Sequence, residues 1–142
     1  MGFLKTLFGI NESKEEDIKD IEKSIEKYND EKLIDLHFKL NSKIKDSYEK
    51  RNKDEKYIEE CIDYCKKDIK LYEEKLRHLS FFKNKNTKMP SFQRLSIIYE
   101  KQKKYKKALG ITKKAIKYNL REKNKNNFKD RLKRLENKLN NK

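Results

Sequence analysis

Valine and tryptophan do not occur in this 142-residue chain, and alanine occurs only as Ala108 and Ala115. Glycine is limited to three positions and proline to one, while lysine, asparagine and isoleucine are abundant. That skew favours amino acids with A/T-rich codons, so part of the lysine excess is expected to follow base composition rather than a ligand. There is no Gly-rich phosphate loop, no nucleophile elbow and no pair of carboxylates on an apolar face. The two histidines, His37 and His78, lie far apart in the chain. No catalytic constellation forms from these pieces, so an enzyme is not expected and no cofactor is implied.

Cysteine is nearly absent as well. Cys61 and Cys65 lie four residues apart in a helical pattern, where disulfide geometry is hard to meet, and no other cysteine exists to build a framework. Free thiols point to a reducing, cytoplasmic setting. With His37 and His78 they match no familiar zinc spacing, and small residues packing between helices explain them better, so no metal is expected.

Long hydrophobic runs are also missing. The opening stretch MGFLKTLFGI is interrupted by Lys5 and is too short to span a bilayer or to serve as a signal-peptide core. It fits the Met-Gly-x3-Thr acylation pattern through Gly2 and Thr6, a eukaryotic modification. Phe3, Leu4, Leu7 and Phe8 would share one face of a short helix, expected to dock on the protein's own helices rather than on a partner or a membrane surface. Residues 1–12 therefore read as an apolar N-terminal segment and 13–142 as one domain, long enough to bury about 70% of its unfolded surface.

What is present is charge. Asp, Glu, Lys and Arg make up 44% of the chain against 34% apolar residues, a balance from which only periodic placement of the apolar side chains recovers a fold. Over residues 1–82 there are 18 basic and 20 acidic residues, and over 83–142 there are 21 and 4, so the basicity belongs to the last sixty residues.

The periodicity is helical throughout, and nothing alternates with period two for long. Ile18, Ile21, Ile25 and Tyr28 follow a capping-box start at Ser13 and Glu16, predicting a helix over 13–29. Leu33, Leu36, His37, Leu40, Ile44 and Tyr48 predict a second over 31–50. Tyr57 through Leu76 predict a third over 54–79. Pro90 suits the first turn of a helix over 91–102, followed after a short turn at Lys103 by one over 104–119. Phe128, Leu132, Leu135 and Leu139 form a stripe on a last helix over 127–140. That stripe spans fewer than two heptads, so it is expected to cap the other helices rather than to form a coiled coil. The fold class is all-α, with about six helices.

Residues 92–115 carry a more specific pattern: Phe92-x2-Leu95-Ser96-x2-Tyr99, then Ala108-x3-Thr112-x2-Ala115. Large residues on one helix face small ones on the next where the two cross closely. The pattern resembles the tetratricopeptide repeat, with Thr112 in place of the usual aromatic and Leu120 where proline is common. An upstream copy is weaker. CIDYCKKDIK at 61–70 aligns with ALGITKKAIK at 108–117, and Tyr48-Glu49-Lys50 echoes Tyr99-Glu100-Lys101. The resemblance, which extends to small bacterial tetratricopeptide-like proteins, implies a degenerate repeat over about 31–79 and a clearer one over about 90–122. Terminal helices would cap the stack.

It also implies a non-catalytic adaptor or scaffold that binds a protein or peptide, an acidic one given the lysines. The groove residues would be Gln93, Ile97, Glu100, Lys101 and Lys104. A second expectation is a basic surface of Lys103, Lys106, Lys107, Lys113, Lys114, Lys117, Arg121, Arg131 and Arg134. Nucleic acid is the alternative partner, but no recognition helix or stacking aromatic accompanies the charge, and Tyr105 and Tyr118 read as packing residues. Membrane association through residues 1–10 is the weaker alternative.

Overall fold

Asn29 starts the first helix by capping it, its Oδ1 accepting the Lys32 backbone N–H at 2.9 Å. The computed structural model describes residues 28–83, 87–122 and 127–141. The apolar segment 1–12 and nearly all of the helix expected over 13–29 lie outside them. Five α-helices occur among the described residues: α1 (Asp30–Glu49), α2 (Glu55–Glu74), α3 (Pro90–Lys101), α4 (Tyr105–Lys117) and α5 (Phe128–Asn140). No strand occurs among those residues. One isolated parallel bridge joins Lys88 to Arg121, with Arg121 N–H donating to the Thr87 carbonyl at 2.9 Å. The all-α expectation holds. The chain divides into two compact units between Leu71 and Tyr72, within α2.

In the first unit α1 and α2 form an antiparallel hairpin. The Cys61 thiol lies 3.7 Å from the Ile44 carbonyl, and the His37 ring lies 2.7 Å from the Asp68 carboxylate. Seven residues back along α1 thus correspond to seven residues forward along α2. Asp54 opens α2 by accepting the Lys56 N–H at 3.0 Å. The buried line Leu33, Leu36, Leu40 and Ile44 keeps the spacing expected of α1, and its counterpart on α2 includes Cys61, Tyr64, Cys65 and Ile69. Both cysteines are fully buried, as small packing residues would be.

One polar cluster interrupts this apolar interface. The Nδ1–H of His37 donates to Asp68 Oδ1, and the Asn41 amide donates to Nε2 at 3.1 Å, which assigns the ring proton to Nδ1. Asp68 is fully buried and His37 is 3% exposed. The second carboxylate oxygen, Asp68 Oδ2, and the Asn41 carbonyl oxygen have no hydrogen bond among the described residues.

The second unit is organised by edge-on aromatic contacts. The Tyr72 ring lies 5.8 Å from Phe92, 5.6 Å from Tyr118 and 6.3 Å from Phe82. The helix expected to reach residue 79 ends at Glu74. Lys75 leaves helical geometry (φ −129°, ψ −60°), and two 3-10 turns follow at Leu76–His78 and Ser80–Phe82. Apolar spacing reports burial and not backbone hydrogen bonding. Leu76 is fully buried from a 3-10 turn just as it would be from an α-helix. Pro90 occupies the first turn of α3 as expected, where its missing N–H costs nothing.

Packing in this unit follows the repeat-like spacing. Phe92, Leu95, Ser96 and Tyr99 on α3 and Ala108, Thr112 and Ala115 on α4 are all buried. The Thr112 and Ser96 hydroxyls, each within its own helix, are satisfied by the carbonyls of Ala108 (2.8 Å) and Gln93 (2.9 Å). α5 packs along α4, opened by Asn127, whose Oδ1 accepts from Asp130 N–H at 2.9 Å. Its buried residues are Phe128, Arg131 and Leu135, while Leu132 and Leu139 of the expected stripe are only half-buried. The helix face is rotated toward Arg131 because that guanidinium finds buried carboxylates.

Candidate functional site

The α3–α4 hairpin turns over three residues. Gln102 N–H reaches the Ile98 carbonyl, Lys103 N–H the Glu100 carbonyl and Lys104 N–H the Tyr99 carbonyl, the last at 2.8 Å. This closure puts Lys103 in the left-handed region at φ 60°, normally a glycine or asparagine position. Asn119 takes the same conformation (φ 57°) after α4 and tolerates it better. Lys103→Gly is therefore expected to raise stability by about 0.5–1 kcal/mol, read as a shift of the urea midpoint at unchanged m-value. A lowered midpoint would show that the lysine side chain itself stabilises the turn.

Glu100, one turn before this closure, is the electrostatic hub of the unit. Its carboxylate accepts from Arg134 Nε and Nη2, both at 3.0 Å, from Lys138 Nζ at 2.7 Å and from Arg131 Nη1 at 3.3 Å. The bonds from Arg134, and after them the one from Lys138, pull the Glu100 carboxyl down to about 2 against the opposing effect of burial. The same bonds raise the Arg134 guanidinium above its ordinary value. Arg131 also grips Glu122, Nη2 to Oε1 at 2.6 Å and Nε to Oε2 at 3.2 Å, with the Glu122 side chain 1% exposed. A second, smaller cluster forms on Glu73, which accepts from the Tyr118 hydroxyl at 2.7 Å and Lys114 Nζ at 3.2 Å. The bond to Glu73 pushes the Tyr118 phenol above its usual value.

The residues expected to line a groove therefore separate. Gln93 is buried, Ile97 is half-buried, Glu100 is held by α5, and Lys101 and Lys104 are exposed. The expected basic surface separates too. Lys103, Lys106, Lys107, Lys113, Lys117 and Arg121 are exposed, whereas Arg131 is buried and Arg134 and Lys114 are engaged by carboxylates. Arg131 and Arg134 are hence internal fasteners of α5. Reading them as surface charge overlooked their spacing with Lys138, at i, i+3 and i+7 on one helix face, in a region with only four acidic residues. Tyr105 is half-buried beneath the Lys138 ammonium, 5.4 Å from its ring centre, as a packing role would have it.

The exposed side of α4 is uniform. Around Gly110 the helix places Lys106, Lys107, Lys113 and Lys114 at the four neighbouring surface positions. Lys107 stands 5.6 Å over the Tyr99 ring. Gly110 is itself exposed, and a Cβ built there meets nothing within 4 Å. A mid-helix glycine costs about 1 kcal/mol relative to alanine, and no close approach within the described protein accounts for it.

No group of three or more His, Cys, Asp and Glu side chains suited to a metal converges among the described residues, and no described helix is long and apolar enough to cross a membrane. No protein-family model, no curated protein and no solved structure matches this chain.

Proposed function

We propose that the chain is a non-catalytic interaction module, a short stack of tetratricopeptide-like helical hairpins that docks an acidic protein or peptide. The observation that carries this reading is the sorting of charge in the second unit. Glu100 and Glu122 point inward and are consumed by α5, while Lys101, Lys103, Lys104, Lys106 and Lys107 around the α3–α4 turn stay exposed. The surface left for a partner is cationic, and complementary charge governs encounter rate and partner choice. Burial of the repeat-like residues of α3 and α4 supports the hairpin reading.

Nucleic acid is the competing partner. Its recognition favours the bidentate guanidinium fork and stacking aromatics, but Arg131 and Arg134 are bound to carboxylates and Tyr118 is tied to Glu73. The test is binding of fluorescein-labelled poly-L-glutamate, followed by anisotropy at about 0.15 M salt. The double reversal Lys101→Glu/Lys104→Glu is expected to weaken it by about tenfold or more, a loss of about 1.4 kcal/mol. Unchanged binding would sink the proposal, as would tighter binding to random duplex DNA that falls steeply with salt.

A further inference from the structure

We infer that the exposed face of α4, centred on Gly110, is the docking face for an acidic helix of a partner protein. The inference rests on the interaction reading above and narrows it to one surface and one kind of ligand. Two observations meet at the same place. The first is the lysine quartet Lys106, Lys107, Lys113 and Lys114, which frames Gly110 on the exposed side of the helix. The second is the glycine itself, a poor helix former set where a Cβ would meet only open space. A glycine without an internal reason for its missing side chain fits close approach by another backbone.

The spacing selects a helix as the occupant. The lysine pairs 106/107 and 113/114 are seven residues apart, about 10 Å along the axis. A helix lying alongside presents side chains at that same interval, so glutamates one heptad apart meet both pairs, as at the flanking positions of a coiled coil. Small residues at a crossing point let two helices come close, and Gly110 provides that point here. An extended peptide, advancing about 3.3 Å per residue, has no matching heptad register. A nucleic-acid backbone satisfies lysines without needing a bare Cα between them. Lys114 already contacts Glu73 at 3.2 Å, so its pairing with a partner is an exchange of carboxylates, whereas Lys106 and Lys113 extend from exposed positions.

The probe is a labelled helical peptide of roughly 18 residues with glutamates one heptad apart and alanine between them, titrated with the full chain at about 0.15 M salt. Lys106→Glu/Lys113→Glu is expected to weaken binding by about tenfold or more, and the neutral pair Lys106→Ala/Lys113→Ala by less. Gly110→Leu changes no charge and fills the crossing point. It is expected to weaken binding by about fivefold or more while leaving the melting temperature unchanged or higher, because leucine is the better helix former. Binding by Gly110→Leu equal to the parent overturns the inference. If the peptide binds but responds only to Lys101→Glu/Lys104→Glu, the acidic-partner reading stands and the α4 face falls. If neither the peptide nor poly-L-glutamate binds, both fall.

Discussion

Asp68→Ala is expected to lower the urea-unfolding free energy by about 3 kcal/mol, a large share of the total stability of a domain this size. Asp68 is fully buried, and its carboxylate accepts the Nδ1–H of His37, itself 3% exposed, at 2.7 Å. Removing the carboxylate leaves a ring N–H in the α1–α2 interface without its acceptor, and the desolvation cost of that group is no longer offset. The single substitution also leaves a small void. The pair itself is a different matter. Asp68 Oδ2 has no hydrogen bond among the described residues, so the pair is only partly satisfied. Replacing both members with apolar residues, His37→Leu/Asp68→Leu, is expected to recover most of the loss. A double-mutant cycle on the full chain measures this. If Asp68→Ala costs less than about 1 kcal/mol, the pair does not hold the hairpin.

Glu100→Gln is expected to cost about 2 kcal/mol and to loosen α5 selectively. Three cations converge on that one carboxylate, and the amide can satisfy only part of their donors. Arg131 keeps its bonds to Glu122, so α5 is weakened rather than released outright. Amide hydrogen exchange is expected to quicken across α5 while α1 stays protected. The pH dependence has a definite sign. The Glu100 pKa is depressed from 4.5 to about 2, so its contribution is complete above pH 4.5 and is lost as pH falls through about 2. The stability gap between parent and Glu100→Gln should be widest above pH 4.5 and close toward pH 2. A gap that stays constant over this range would show that Glu100 acts through packing and not through charge.

These two clusters differ in how visible they are in the sequence. His37 lies on the apolar face of α1, and its place on the inner side was legible from the spacing of Leu33, Leu36 and Leu40. Its partner was not, because Asp68 is thirty-one residues away and looks like any other acid in an alternating Lys/Asp run. The Glu100 hub was hidden for the same reason. Read locally, Glu100 belongs to the exposed line of α3 and Arg131 to a basic tail. Only α5 folding back along α4 places them within hydrogen-bonding distance. The candidate docking face stands between these cases. The lysines around Gly110 follow from helical periodicity alone, but whether a glycine there is filling a tight crossing or facing solvent depends on what surrounds it.

Legible from spacing alone were the helical class, the start of α1 near Glu31, Pro90 at the entry to α3 and the small–large pairing of α3 with α4. Each depends on contacts within a few residues or on a repeating face, and such short-range rules can be read from spacing. Long-range packing is what ends α2 at Glu74, turns Arg131 of α5 inward and sets which lysines stay exposed. Those outcomes depend on pairing a charge with a distant counter-charge out of water, where the cost of burial is compensated only if the partner arrives in the right geometry. No local pattern encodes that arrival.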